Sequence, residues 1–348
     1  MLTIRVNASN PYDVDVGTHI LDELKAHSKQ AFVVCQPGSV TIAKKVAQVL
    51  EEQKVHVQLF ELPDGENAKT MQSLGTLYEA AVERHLERSA TVYAVGGGCV
   101  GDAAGFFAAT FMRGIAVVQI PTTLLSMVDS GIGGKTGINV ANTKNMAGAF
   151  WQPKQMVCDV SVLETLPKEQ MRNGLAEVIK HGLILDEAYF QFAEKNMESI
   201  LSKEPDILEQ TVAQSVRIKA AVVEKDEREA NERMKLNYGH TVGHGIEAVS
   251  GILHGEAISI GMAAEGELSQ RLGFLSGKEL ERQNGLLQST GLPLRMNADP
   301  ELVMDRMKND KKRVQGVYRI VLLDKIGSCH VENVAESDVR LALKSVLE

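Results

Sequence analysis

Three histidines and one glutamate carry the first chemical signal in the sequence. His240 and His244 lie four apart in LNYGHTVGHGIE (236–247), so a helix would set both on one face. His254 follows in LHGE (253–256), and Glu177 sits in the otherwise apolar helical stretch GLAEVIKH (174–181). One carboxylate and two imidazoles with a position left open suit a catalytic zinc ion. Spacing alone selects His240 and His244 as the imidazole pair. Thr241 stands where a zinc protease of the HExxH type carries its glutamate base, so peptide hydrolysis is set aside. His85, His181 and His330 read as structural or surface residues.

A second signal concerns anions. GGGCVGD (96–102) follows an expected strand and precedes an apolar helix; Gly96, Gly98 and Gly101 satisfy GxGxxG. Bare backbone there can approach a pyrophosphate, and a helix N-terminus favours negative charge. No acidic residue closes a strand about 20 residues later, as the usual dinucleotide fingerprint requires. The loop is therefore either a nucleotide site of another build or a tight strand-to-helix turn. Asp102 would repel a phosphate unless it binds a hydroxyl, an amide or a lysine; its alternative role is a helix cap.

Residues 121–149 crowd Thr122, Thr123, Ser126, Asp129, Ser130, Lys135, Asn139, Lys144 and Asn145 into one segment read as loop-rich, with Gly131, Gly133 and Gly134 keeping it flexible. Lys135 and Lys144 suit phosphate or carboxylate as point charges. GGKT (133–136) ends like an ATP loop, but Asp129 occupies the position of its first glycine, so an ATP loop is rejected. Further cations recur at Lys180, Lys219, Arg233, Lys311 and Lys312. Lys219 falls among apolar residues at helical spacing, which requires a partner for its amine.

The elements that position these residues follow from pattern. Apolar runs at 31–35, 55–59, 91–95 and 116–120 alternate with helical patterns at 42–53 and 70–85, which implies a parallel sheet with covering helices. After Pro167 the pattern turns mainly helical, as at 208–223 and 255–272, with a short strand at 317–323. The expected organisation is an α/β Rossmann-like domain over 1–166, then a mainly α-helical domain over 167–348 closing over it. With 348 residues, about two domains are expected. Acidic residues outnumber basic ones, 45 to 37, for a net charge of −8, which argues against a broad nucleic-acid surface. Four cysteines without a CxxC pair argue against disulfides and point to a reducing cytoplasm. Residues 1–17 lack the pattern of a signal peptide. The most apolar stretch, 103–125, is broken by Arg113, Gln119 and Pro121, so no membrane span is expected.

GGGCVGDAAGF (96–106), RGIAVVQIPTTLLSMVDSGIGGKTGIN (113–139), KNMAGAF (144–150), GLAEVIKHG (174–182), LNYGHTVGHGIE (236–247) and HGEAISIGM (254–262) together resemble the 3-dehydroquinate synthases, within the sugar-phosphate cyclase superfamily. The likeness runs in the family's order from about residue 64 to residue 312. It implies a phosphate-releasing lyase of the shikimate pathway, homodimeric, dependent on NAD and on zinc or cobalt. Its substrate would be the anionic sugar phosphate 3-deoxy-D-arabino-heptulosonate 7-phosphate. The implied route is transient oxidation by NAD, phosphate elimination, re-reduction, ring opening and aldol closure to 3-dehydroquinate.

The resemblance also implies residue roles. Glu177, His240 and His254 become the metal ligands, and His244 moves to the leaving phosphate. The NAD site would comprise Asp64, Gly65, Glu66, Lys69, Gly97, Gly98, Asp102, Thr122, Thr123, Asp129, Lys144 and Thr165. Substrate would meet Lys135, Asn145, Lys180, Lys219, Arg233, Asn237 and His244, one of Lys311 and Lys312, and Arg113 lent across the dimer interface. The competing readings are a cyclase of the 2-deoxy-scyllo-inosose or valiolone type, a metal-dependent polyol dehydrogenase of similar fold, and a non-catalytic binding module.

Overall fold

The innermost strands of the first unit grow from predominantly apolar runs such as AFVVC (31–35) and TVYAV (91–95). The computed structural model describes residues 1–141, 143–308, 313–314 and 317–347. In chain order the first unit carries β1 (Leu2–Val6), β2 (Tyr12–Gly17), β3 (Gln30–Cys35), α1 (Val40–Glu52), β4 (His56–Glu61) and α2 (Met71–Glu83). There follow β5 (Thr91–Gly96), α3 (Gly98–Thr110), β6 (Ala116–Pro121), β7 (Lys135–Val140), β8 (Thr143–Phe150) and β9 (Gln155–Asp159). Seven strands form one sheet in the order β1-β2-β9-β6-β5-β3-β4, parallel except for the β1–β2 pair. Both faces are buried at β3, β5, β6 and β9, which explains the apolar runs there. Phe32, Val92 and Phe107 pack on one face; Val33, Tyr93 and Leu50 pack on the other. The order of connection reverses between β3 and β5, where open α/β sheets place ligands beyond the strand ends.

The second unit opens with α4 (Lys168–Leu185) and α5 (Glu187–Leu201). After α6 (Pro205–Lys225) come α7 (His240–Ser250), α8 (His254–Arg271), α9 (Gly277–Ser289) and α10 (Pro300–Lys308). A three-stranded antiparallel sheet of β10 (Arg313–Val314), β11 (Val317–Lys325) and β12 (Ser328–Ala335) precedes α11 (Glu336–Val346). Val242, Ile246, Ile260, Leu268, Ile320 and Leu343 share its core. Side-chain caps set some boundaries: Asp186 accepts from Tyr189 N at the start of α5, and Ser276 and Glu279 form a capping box on α9.

The α/β first unit and the mainly helical second part agree with the sequence reading. Two details differ. Residues 135–150 are a hairpin, with Lys135 opposite Phe150 and Gly137 opposite Gly148. The glycines there serve close approach: a Cβ on Gly148 would lie 2.1 Å from Thr136 O. The single cut after residue 166 also differs from the compact units, which are 1–166 with 205–227, and 167–204 with 228–348. Helix α6 packs against β1 and β2, so its apolar face completes the first unit. Among the described residues, no helix is long and apolar enough to cross a membrane.

Candidate metal centre and anion-binding loops

In the second unit, three helices each deliver one ligand-type side chain. Helix α4 is buried on nearly every side from Asn173 to Ile184, which its apolar sequence allows. It carries Glu177 with no solvent exposure and, one turn on, Lys180 at 1%. His240 is the first residue of α7, and His254 is the first of α8. Glu177 Oε1 lies 3.4 Å from Nε2 of both His240 and His254. Tetrahedral donors at about 2.0–2.1 Å from a zinc ion stand about 3.3–3.4 Å apart, so these spacings fit one divalent ion. Neither Glu177 oxygen reaches hydrogen-bond geometry, although Lys180 Nζ forms an ion pair with Oε2. The donor set therefore fits a metal better than it fits a closed hydrogen-bond network.

Partners on the far ring nitrogens orient both imidazoles. His240 Nδ1 is 3.0 Å from the Tyr238 carbonyl oxygen, and His254 Nδ1 is 3.4 Å from Glu247 Oε2. Such contacts fix tautomer and ring angle in metal sites. Burial alone would raise the Glu177 pKa, but Lys180, His240 and His254 hold it well below the usual carboxylate range. Burial, then Lys180, lowers His240. For His254 the pull of burial is outweighed by the Glu177 and Glu247 carboxylates, and its pKa rises to about 9.

His244 is exposed, its ring 5.2 Å from that of His240 and 6.2 Å from that of His254. The pair chosen by spacing is thus not the pair that meets Glu177; His254, from the start of the next helix, takes that place. Glu247 went unnoticed in the sequence, yet it lies seven residues after His240, two helical turns along one face. His181 is buried within α4. Arg233, 2% exposed, and Asn237 sit in the short helical turn Glu232–Asn237, where Asn237 Nδ2 donates to Glu229 Oε1 at 3.1 Å. Lys311 and Lys312 lie outside the described residues.

In the first unit, the loops gather at the end of β5. Gly97 caps α3 without a side chain, so the Asp102 carboxylate is not the helix cap. A Cβ on Gly98 would lie 2.9 Å from Ser130 Oγ, and one on Gly97 would lie 3.3 Å from Thr123 Cγ2. The bare backbone thus lines a small pocket with Gly101, Gln119, Ser126 and Ser130. Buried Thr122 donates its N–H to Gly96 O at 2.9 Å. Asp102 meets a lysine, one of the partners its position called for: Lys69 Nζ donates to Asp102 Oδ2 at 2.6 Å and to Asn145 Oδ1 at 2.5 Å. Burial raises the Asp102 pKa despite the opposing effect of Lys69.

Lys219 finds the required partner too, donating to Asp129 Oδ1 and to its carbonyl oxygen, both at 2.6 Å. Asp64 and Gly65, both exposed, begin the turn that ends in buried Lys69. Glu66 Oε2 accepts from Asn139 Nδ2 at 2.7 Å, and Lys144 Nζ lies 3.9 Å from Glu66 Oε1. Asn139 Oδ1 in turn accepts from Asn145 N at 2.9 Å. Lys135 is exposed at the head of β7, and Thr165 is exposed at the end of the turn Val160–Thr165. Arg113 is exposed with a positive φ of 68°.

Comparison with known proteins gives a consistent picture. The family profile for the 3-dehydroquinate synthase N-terminal region matches residues 59–173, and that for the C-terminal region matches 174–313. A curated 3-dehydroquinate synthase from Desulforamulus reducens is 41% identical over 99% of both chains. Among solved structures, 2-deoxy-scyllo-inosose synthase complexed with carbaglucose-6-phosphate, NAD⁺ and Co²⁺ superposes with a TM-score of 0.93. It is 26% identical over 99% of this chain and 100% of its own. The 2-epi-5-epi-valiolone synthase from Streptomyces hygroscopicus, with NAD⁺ and Zn²⁺ bound, gives 0.89 at 27% identity over 96% of each chain.

Proposed function

The chain belongs to the 3-dehydroquinate synthase family, and from that premise we propose that it converts 3-deoxy-D-arabino-heptulosonate 7-phosphate to 3-dehydroquinate and phosphate, as a cytoplasmic homodimer. The observation that carries this reading is the convergence of Glu177, His240 and His254 in a chain whose end-to-end relatives are 3-dehydroquinate synthases. When bound, NAD⁺ supplies reversible oxidation of a substrate alcohol, and zinc or cobalt held by Glu177, His240 and His254 supplies acidification of that alcohol.

The chain's own residues bind and orient. In the first unit, the backbone of Gly97 and Gly98 at the start of α3 takes the dinucleotide phosphates. The paired Lys69 and Asp102 hold its polar groups, with Asp64, Gly65, Glu66, Thr122, Thr123, Asp129, Lys144 and Thr165 completing that site. Lys135 and Asn145 are assigned to substrate, and so is Lys219, whose amine is already oriented by Asp129. In the second unit, Lys180, Arg233 and Asn237 are assigned to substrate; the two cations are buried charges that need no reorganisation when the anion arrives. His244 is assigned to the substrate, near the leaving phosphate. Arg113 reaches the substrate phosphate of the partner protomer.

The test supplies the heptulosonate phosphate with a catalytic amount of NAD⁺ and follows phosphate and NADH together. Phosphate release without NADH accumulation is expected; steady accumulation of NADH would mean a polyol dehydrogenase instead. The close structural likeness to two other cyclases makes those the second reading. Turnover of a hexose 6-phosphate but not of the heptulosonate would favour the 2-deoxy-scyllo-inosose type. The fall in identity from 41% to 26% and 27% weighs against it.

A further inference from the structure

We propose that Glu265 is a positioning residue: by holding the first turn of α7 it places His240 and so sets the affinity of the Glu177, His240 and His254 group for a divalent metal ion. The inference rests on the metal reading given above. Glu265 lies on α8, eleven residues beyond His254, about three helical turns or 16 Å along the axis. It has no solvent exposure. Its Oε2 accepts from Gly239 N at 2.7 Å, and its Oε1 is 3.3 Å from Val242 N, which donates to it.

These N–H groups stand at the head of a helix, where backbone donors have no intrahelical acceptor. Ordinarily a side chain at the capping position satisfies them. Gly239 occupies that position with a φ of 77°, and it has no side chain to offer. Glu265 supplies the missing acceptor from a different helix. The two helices touch through bare backbone at this point: a Cβ on Gly261 would lie 1.9 Å from Gly239 O. Beside this contact the Glu265 carboxylate links the two helices through hydrogen bonds.

The residue preceding the cap is anchored as well. Tyr238 OH donates to Gln283 Oε1 at 2.7 Å, and the Tyr238 carbonyl oxygen is the partner of His240 Nδ1. Tyr238 is tied down on one side of Gly239, and the Glu265 bonds to Gly239 N and Val242 N bracket His240 along the chain, so they oppose rotation of the helix head that carries it. Helix α8 thereby contributes to the metal group twice, directly through His254 and indirectly through Glu265.

The test uses the full chain stripped of metal, with Glu265→Gln and Glu265→Ala compared with His254→Ala, which removes a donor atom itself. Zn²⁺ affinity is read by competition with a chromophoric chelator, and Co²⁺ geometry by the visible absorption of the bound ion. Both are measured well below the unfolding temperature of each metal-free variant. Glu265→Gln keeps the shape and one acceptor oxygen, so it tests the idea even if Glu265→Ala fails to fold. Roughly 10- to 100-fold weaker Zn²⁺ binding and an altered Co²⁺ spectrum are expected. Binding within threefold of the unaltered chain and an unchanged spectrum, with His254→Ala impaired, would make Glu265 a plain helix anchor and overturn the proposal. Unimpaired binding in His254→Ala would instead overturn the metal reading beneath it.

Discussion

Lys135 is exposed at the head of β7, so replacing it disturbs little apart from what its amine touches. Lys135→Ala should therefore leave the free energy of unfolding within about 0.5 kcal/mol of that of the starting protein. A lost charge-assisted contact of about 1.5–3 kcal/mol should lower kcat/KM by roughly 10- to 100-fold. Unchanged turnover would remove Lys135 from the substrate set. Arg233 needs a gentler change, because at 2% exposure its truncation would empty a buried site. Arg233→Lys keeps the charge and loses the planar fork. Steady-state kinetics should show a raised KM in a chain that still folds, and a KM equal to that of the unaltered chain would count against the role. At this scale residue types were legible and partners were not. Lys219 announced its need for a partner by sitting among apolar neighbours, but nothing in the spacing named Asp129. His240 and His244 share a helical face by arithmetic, whereas the meeting of His254 with Glu177 depends on how three helices cross.

The crossing of α7 and α8 offers the sharpest test among the elements. Gly261→Ala would drive a methyl group into Gly239 O, in a contact where neither backbone has room to yield. Overpacking of this kind costs about 1–3 kcal/mol. Chemical denaturation should show that loss, with weaker metal binding beside it, since His240 rides on the displaced helix. An unaltered denaturation midpoint would mean that the helices separate freely. Element recognition from sequence succeeded where burial is two-sided. The runs at 31–35, 91–95 and 116–120 became β3, β5 and β6 with one added residue at an end of each. It failed for β7 and β8, which mix polar with apolar residues and are largely exposed, and so lack the alternation that marks a half-buried strand. Helix α6 was legible as a helix but not as part of the first unit, because periodicity states which face is buried and not what buries it.

For the whole molecule, metal removal is the broadest test. A strong chelator should abolish activity, and zinc or cobalt should restore it. At a free metal concentration 100 times Kd, binding to the folded state alone adds about 2.7 kcal/mol. That corresponds to a rise of about 5–10 °C in Tm for a unit of this size. Equal melting curves with and without metal would sink the assignment. The net charge of −8 excludes a broad polyanion surface but conceals buried Lys69, Lys180, Lys219 and Arg233; local patterning marked the last three, and the family resemblance marked Lys69. The return of α6 to the first unit also bears on how the protein is made. A ribosome releases the chain from its N-terminus, so the sheet of residues 1–166 emerges without the helix that covers β1 and β2. At about 5–20 residues per second, the intervening stretch to residue 227 takes roughly 3–12 s to synthesise. During that interval β1 and β2 stand without their covering helix, and the nascent sheet carries uncovered apolar surface there.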